Sequence, residues 1–263
     1  MKIKHVTTIL CFIIVFFLFS ITGYAADISP LDGYEDNDYD KLQAFLNSAS
    51  LEAGKTNGEY LNPSYDSNDP VTWTGVTWNA VTPKRVVDID WFEKASLTGS
   101  LDVSDFTSLT NLDVSYTRVS SLNTNNCSAL ADLNCGSCLY ITTLDVSTNT
   151  ALTSLECSIN DISALDLTNN TLLTHLGCTA NEITTLDVSN QPLLDNLYCK
   201  SNQLTSIDVS NNTVLKTMDC SNNDITSIDV SSNSLLETLV CNSNEITVLN
   251  TSGSNNLITV NCA

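Results

Sequence analysis

The stretch Leu152-Thr-Ser-Leu155-Glu-Cys157-Ser-Ile-Asn160-Asp-Ile162-Ser-Ala-Leu165-Asp-Leu-Thr168 decides the fold, because its pattern recurs every 21 residues. The next copy places Leu173, Leu176, Cys178, Asn181 and Ile183 in the same frame. Later copies repeat the Leu, Cys and Asn positions as Leu194, Cys199 and Asn202, as Leu215, Cys220 and Asn223, and as Leu236, Cys241 and Asn244. Weaker copies of the L-D-V-S segment begin at Leu101, Leu122 and Leu249. Self-similarity at a fixed period predicts a solenoid.

Each repeat divides into a strand, a turn and a return segment. The L-x-x-L-x-C segment predicts a short parallel strand whose Leu, Leu and Cys point inward, while the residues between them face out on a concave sheet. The Asn that follows turns the chain, and we expect its amide to bond backbone groups of the turns above and below it. The L-D-V-S segment then returns as extended chain with Asp outward. We expect a mostly β repeat solenoid with about nine parallel strands.

The frame resembles the leucine-rich repeat, L-x-x-L-x-L-x-x-N/C-x-L, with Cys in the third Leu position. Residues 26–84 precede the repeats. Leu42, Phe45, Leu46 and Ala49 have helical spacing after an expected Asp38 cap, and Trp73-Thr-Gly75-Val76 and Arg85-Val86 follow. This order resembles the N-terminal cap of secreted bacterial internalin-like proteins. That family often has a Cys where Trp78 stands, so we expect no cap disulfide there. The resemblance covers residues 85–263 well and 26–84 loosely, and it implies a non-enzymatic recognition scaffold.

Residues 1–25 have the organisation of a secretory signal. Lys2 and Lys4 precede the apolar run Ile9 to Phe19, and the small residues Gly23 and Ala25 predict cleavage before Ala26. The apolar run is shorter than the roughly 20 residues that span a bilayer, so an uncleaved anchor is disfavoured. The predicted organisation is a signal at 1–25, a cap at 26–84 and a repeat domain at 85–263 in an exported or cell-surface protein.

Seven cysteines occupy one strand position in successive repeats, namely Cys135, Cys157, Cys178, Cys199, Cys220, Cys241 and Cys262. We call this set the cysteine ladder and expect buried free thiols that act as small apolar groups. An odd number cannot pair completely, and we expect neighbours on parallel strands to lack disulfide geometry. Cys135-Gly-Ser-Cys138 has C-x-x-C spacing, but the repeat frame explains both residues without redox chemistry.

Three positions depart from the repeat. Cys138 replaces the turn Asn, and Cys127 stands in a second turn position that other repeats fill with Asn149, Asn170 and their equivalents. One extra residue after Cys138 lengthens that repeat to 22, and we expect a bulge at Tyr140.

The charge balance and the scarcity of reactive motifs argue against catalysis and against nucleic acid. Thirty Asp and Glu residues oppose ten Lys and Arg, a net charge of −20, whereas nucleic acid and anionic lipid select basic surfaces. No glycine-rich phosphate loop or H-E-x-x-H occurs. Carboxylates that face the concave side are scattered, as Asp88, Asp90, Asp113, Asp132, Glu156 and Asp219. We predict no enzyme activity, no cofactor and no metal site.

Two acidic patterns leave calcium to be considered. The convex row Asp145, Asp166, Asp187, Asp208 and Asp229 places like charges about 5 Å apart. Water and Ser/Thr hydroxyls are the favoured relief of this repulsion, with calcium as the alternative. Asp36-Asn-Asp38-Tyr-Asp40 resembles an EF-hand start, but Lys41 and Asn47 replace the essential Gly and Glu, so we reject that site.

The concave face is the candidate binding surface. Its candidate ligand-binding residues are His175, Asn196, Tyr198, Lys200 and Asp219, with Tyr198 standing between Gly177 and Asp219. The predicted function is recognition of a protein or glycan outside the cell. The alternatives are a structural spacer or a fragment of a longer secreted protein, and an enzyme on a parallel β-helix. An open sheet edge after Cys262 also predicts self-association.

Overall fold

The computed structural model describes residues 33–262, which form short strands joined by turns, preceded by two helices. The predicted signal, residues 1–25, lies outside this range. The helices are α1 (Asp36–Asn47) and α2 (Asn57–Leu61). The strands are β1 (Val76–Trp78), β2 (Val86–Asp90), β3 (Thr98–Asp102), β4 (Asn111–Asp113), β5 (Arg118–Asn123), β6 (Asp132–Asn134), β7 (Ser154–Glu156), β8 (His175–Gly177), β9 (Asn196–Tyr198), β10 (Thr217–Asp219), β11 (Ser227–Asp229), β12 (Thr238–Val240), β13 (Val248–Asn250) and β14 (Thr259–Asn261).

One ten-stranded sheet contains the strand of every repeat. Within the described residues, nine parallel strands follow the order β2-β4-β6-β7-β8-β9-β10-β12-β14, and β1 joins β2 antiparallel at one edge. Among residues 33–262 the return segments pair twice, as β3 with β5 and β11 with β13, and otherwise run as extended chain. The predicted mostly β solenoid with about nine parallel strands is confirmed.

The core follows the repeat frame. In the repeat that opens at Leu152, the side chains of Leu152, Leu155, Cys157 and Ile162 are fully buried. The same positions are buried in the following repeats as far as Cys241, so adjacent turns share one continuous apolar core. On the return segment Leu165 and Leu167 are buried while Asp166 is exposed, as the alternation predicts.

The Asn after each strand bonds its own strand and the preceding repeat. Asn202 Nδ2 donates to the carbonyls of Cys199 and Cys178, each at 3.0 Å, and its Oδ1 accepts from Ile183 N at 3.0 Å. Asn181, Asn223 and Asn244 repeat this arrangement. The expected bonds form only to the preceding repeat and not to the turns on both sides, because Nδ2 and Oδ1 of each Asn both reach toward that repeat.

Cys127 and Cys138, which stand at Asn positions of the repeat, replace some of the hydrogen bonds that Asn makes there. The Cys138 thiol donates to the Val114 carbonyl at 3.2 Å, and the Cys127 thiol donates to the Val103 carbonyl at 2.9 Å. A thiol supplies one weak donor where the amide supplies two. Both positions therefore keep the bond to the preceding repeat and lose the others.

The N-terminal cap closes the first repeat with aromatic side chains and one buried carboxylate. Phe45 of α1 stacks on Trp91 at 5.2 Å between ring centroids, and Trp78 packs edge-on against Tyr34 at 4.7 Å. The expected Asp38 helix cap is wrong, because α1 begins at Asp36 and Asp38 lies inside it. The fully buried Asp38 accepts a hydrogen bond from Val86 N at 2.9 Å and so ties the helix to β2.

The cysteine ladder is reduced except at its last step. Cys135, Cys157, Cys178, Cys199 and Cys220 are free and buried, as predicted. The expectation that parallel neighbours lack disulfide geometry is wrong, since Cys241 and Cys262 form a disulfide with 4.7 Å between Cα atoms. Cys262 is exposed, whereas the free ladder thiols are buried, and burial raises the pKa of each of them.

The last described strand stays open along one edge. All three residues of β14 are exposed, and β14 pairs with β12 alone in the sheet. Self-association at this edge stays a prediction. No helix among residues 33–262 is long and apolar enough to cross a bilayer.

Candidate functional site

The outward side chains of the main sheet form two rows across the concave face. Strand pairing places the first strand residues in register, so that Ser154, His175 and Asn196 adjoin one another. The third strand residues form what we call the central row. This row runs Asp90, Asp113, Asn134, Glu156, Gly177, Tyr198, Asp219, Val240 and Asn261.

Most polar side chains of the central row close the end of their own strand. Asp113, Glu156 and Asp219 each accept a hydrogen bond from the backbone N–H two residues on, at 2.9 to 3.0 Å. Asx-type turns of this kind replace backbone pairing where a strand ends. Gly177, Tyr198 and Val240 interrupt the pattern, because none of these side chains offers an acceptor of this kind. Gly177 and Tyr198 are adjacent, so the central row changes character over two successive repeats there.

A cluster of Glu156, His175 and Tyr198 lies at this interruption. His175 Nε2 is 3.7 Å from Glu156 Oε2, and the His175 and Tyr198 rings are 5.5 Å apart at a tilt of 47°. The Glu156 carboxylate lies over Gly177, where any Cβ would collide with it. Burial acts to raise the pKa of Glu156, but the His175 imidazole and the hydrogen bonds from Ser158 outweigh burial and lower the pKa. Glu156 is therefore a charged, half-buried acceptor in this cluster.

The five candidate residues have different surroundings. His175, Asn196 and Tyr198 lie on β8 and β9, half-buried and in adjacent positions. The Asn196 amide donates to Asp195, while Asp219 accepts from Ser221 N and Oγ. Asn196 and Asp219 therefore have partners within the protein. Lys200 lies just beyond β9 and makes no ion pair within residues 33–262.

The Glu156 carboxylate occupies the space over Gly177. The sequence placed Glu156 only among scattered carboxylates. The signal that was available is Gly177 itself, since a missing side chain in one repeat leaves room for the neighbour's long side chain.

The arrangement does not suit metal or redox chemistry. Within residues 33–262 no three His, Cys, Asp or Glu side chains converge on a common point where an ion would fit. The convex carboxylates Asp145, Asp166, Asp187, Asp208 and Asp229 instead accept hydrogen bonds from the Ser or Thr two residues on, and these bonds lower the pKa of each.

Reactive C-x-x-C pairs contain a thiol of depressed pKa. Here burial raises the pKa of both Cys135 and Cys138. The pair therefore lacks the thiolate that redox exchange requires.

Comparisons with known proteins agree on the fold. No protein-family model and no curated protein matches the chain. Among solved structures, the functional domain of InlJ from Listeria monocytogenes, described as including a cysteine ladder, superimposes with a TM-score of 0.63 and 34% identity, over 74% of this chain and 45% of that one. A leucine-rich-repeat protein from Leptospira interrogans superimposes with a TM-score of 0.54 and 22% identity, over 58% of this chain and 42% of the other.

The chain spans less than half the length of either structure. The parallel sheet, the repeat of 21 residues and these likenesses together establish that this chain has a leucine-rich-repeat fold.

Proposed function

We propose that the protein is a non-enzymatic extracellular recognition scaffold that binds a protein or glycan partner through the concave face. The observation that carries this proposal is the cluster of Glu156, His175 and Tyr198. It combines two half-buried rings with a charged carboxylate beside Gly177 and Tyr198, two adjacent positions of the central row that do not close their own strands. Half-buried aromatic side chains on a surface of small polar residues are typical contact anchors.

Hydrogen bonding separates this cluster from the rest of the concave face. Asp88 accepts from Asn111 at 2.6 Å, and Asp113 accepts from Asn134 at 3.2 Å, so these carboxylates are paired between repeats. Within residues 33–262 the Tyr198 hydroxyl has no hydrogen-bond partner, and Lys200 has no ion pair. These two groups keep their donors available for a partner.

The charge of the chain selects the class of partner. With a net charge of −20 the protein repels acidic surfaces, so nucleic acid is disfavoured and a neutral or basic protein, or a neutral glycan, is favoured. The proposed extracellular location rests on the signal predicted at residues 1–25. A structural spacer that carries a further domain is the alternative, and it predicts that the concave face captures nothing.

Capture experiments separate these two functions. Immobilised protein and its Tyr198→Ala/Lys200→Ala variant are exposed to cell-surface extracts and to a glycan array. We expect a species that the protein retains and the variant loses at least tenfold, because the variant removes the ring and the free cation together. The matched control is Val240→Ala/Asn242→Ala, which changes the equivalent positions two repeats further on. Equal capture by all three proteins, or no capture, contradicts the proposed site and supports the spacer.

A further inference from the structure

A second surface, separate from the concave cluster, lies where the strands of the first repeats end. Five large apolar side chains gather there, each between 43% and 53% exposed. We call them the edge patch, and they are Phe92, Tyr116, Leu139, Tyr140 and Ile159. Exposed apolar side chains are ordinary when scattered, but a contiguous group of them marks an interaction site.

The backbone under the edge patch is strained. Tyr116, Leu139 and Ile159 have φ angles of 56°, 73° and 57°, in the left-handed region that bulky and β-branched residues rarely adopt. The stacked turns impose this conformation, since Tyr116 N donates to the Gly136 carbonyl and Ile159 N to the Thr179 carbonyl. Later repeats adopt the same conformation with small or polar residues, namely Ala180, Ser201, Asn222 and Ser243.

The extra residue of the 22-residue repeat belongs to the same surface and also carries a cost. In regular repeats Asn Oδ1 accepts a backbone N–H of the preceding repeat, as Asn181 does from Ile162. The insertion breaks this bond for Asn160, whose buried Oδ1 has no partner within the described residues. In return, the insertion brings Leu139 and Tyr140 to the surface. Neither the strain nor the lost hydrogen bond benefits folding, so both point to a role in binding.

Tyr116 and Leu139 of the edge patch line a cavity, and the charged groups beside it define its occupant. The cavity has a volume of about 570 Å³ and is lined by Glu93, Tyr116, Arg118 and Leu139 among others. The Arg118 guanidinium donates to the Tyr140 hydroxyl at 3.1 Å, which fixes both side chains at the rim. Glu93 makes no ion pair within residues 33–262 and so leaves a carboxylate at the cavity wall.

We propose that the edge patch binds a segment of a partner protein that inserts an apolar side chain into this cavity and places a basic residue against Glu93. Tyr and Arg around an apolar depression are the composition of protein-interface hot spots. The net charge of −20 attracts a basic segment and repels a second copy of this chain and anionic membranes. The surface lies beyond the concave cluster, so its occupant is independent of the function proposed above.

A phage-displayed library of random 12-residue peptides, selected on the purified protein, tests the proposal. We expect enriched peptides that combine a large apolar residue with Lys or Arg. The Tyr116→Asn/Ile159→Asn variant should bind them at least tenfold more weakly. Because Asn222 occupies the same backbone conformation in this chain, the variant should retain its melting temperature or gain about 2–4 °C. Weaker binding together with undiminished stability separates a binding role from a folding role.

Two further proteins sharpen the outcome. Ser201→Asn/Ser243→Asn changes the equivalent turn positions outside the edge patch and should bind the peptides normally. The Glu93→Gln variant should bind basic peptides at least threefold more weakly and should keep the same fold. The proposal is overturned if no peptides are enriched, if the enriched peptides are acidic, or if the Tyr116→Asn/Ile159→Asn variant binds the peptides as well as the original protein. It is also overturned if this variant keeps peptide binding and loses instead its self-association or its binding to phosphatidylcholine vesicles. The Tyr116→Asn/Ile159→Asn variant should still capture the ligand of the concave face, and that result distinguishes failure of the edge patch from failure of the concave site.

Discussion

Raising the pH from 8 to about 10 should unfold the repeat domain, because the cysteine ladder resists ionisation. Burial raises the pKa of Cys178 and Cys220 to about 12, and it raises the pKa of Cys135, Cys157 and Cys199 well above the ordinary value. In the unfolded chain these thiols have a pKa of about 8.5. Above that pH the folded state holds protons that the unfolded state releases, so stability falls as the pH rises.

The size of the effect follows from the number of thiols. A pH of 10 lies about 1.5 units above the pKa that each thiol has in the unfolded chain. Keeping one thiol protonated in the folded state therefore costs about 2 kcal/mol of stability, since one unit corresponds to about 1.4 kcal/mol. Five free ladder thiols act together, so the total is about 10 kcal/mol. That is comparable with the whole stability of a typical domain, about 5–15 kcal/mol. The contribution is fully present below pH 8.5 and is lost between about 8.5 and 12.

Equilibrium unfolding in urea, followed by far-ultraviolet circular dichroism under anaerobic conditions, measures this loss. We expect the free energy of unfolding to fall by up to about 7 kcal/mol per pH unit above pH 9. The Cys178→Ala/Cys199→Ala variant starts from lower stability, because it leaves cavities, but its slope with pH should be smaller, because it removes two of the seven free buried thiols of raised pKa. An unchanged slope in this variant would assign alkaline unfolding to tyrosine or lysine side chains instead.

The architecture was predictable because the repeat constrains it at every level. A period of 21 residues with Leu, Leu and Cys at fixed positions allows one parallel register, and a slip by one residue would expose the whole ladder. The inward direction of Leu165 and Leu167, the outward direction of Asp166 and the central position of Tyr198 between Gly177 and Asp219 all follow from that register.

What failed was the reasoning about individual side chains. Asp38 has the composition of a helix cap, but its carboxylate is buried against Val86 N because the cap packs on β2. The closeness of Glu156 to His175 depends on where a long flexible side chain lies over Gly177, and the repeat pattern does not encode that. The strain at Tyr116 and Ile159 is likewise visible only in the backbone, although the later Ala180 and Asn222 at the same position contained the hint.

Replacing Asn202 with Ala should destabilise the protein by about 3 kcal/mol. The amide makes three strong hydrogen bonds, to the carbonyls of Cys199 and Cys178 and from Ile183 N. Alanine cannot replace any of them, and the Asn202 side chain is buried. Each buried group left without a partner costs about 1–3 kcal/mol, and part of the loss is recovered where the turn relaxes toward water. The measurement is the urea midpoint at pH 7, with an unchanged dependence on urea showing that the same surface unfolds.

The chain itself provides the matched control for this substitution. Cys138 occupies the Asn position in one repeat and keeps the bond to the backbone of the preceding repeat, from its thiol to the Val114 carbonyl. Asn202→Cys should therefore retain the bond to the preceding repeat and cost about half as much as Asn202→Ala. If the two variants lose equal stability, the bond to the preceding repeat contributes nothing and the amide acts only within its own turn. If Asn202→Ala costs less than about 1 kcal/mol, water satisfies the freed groups and the Asn column is not what holds neighbouring repeats together.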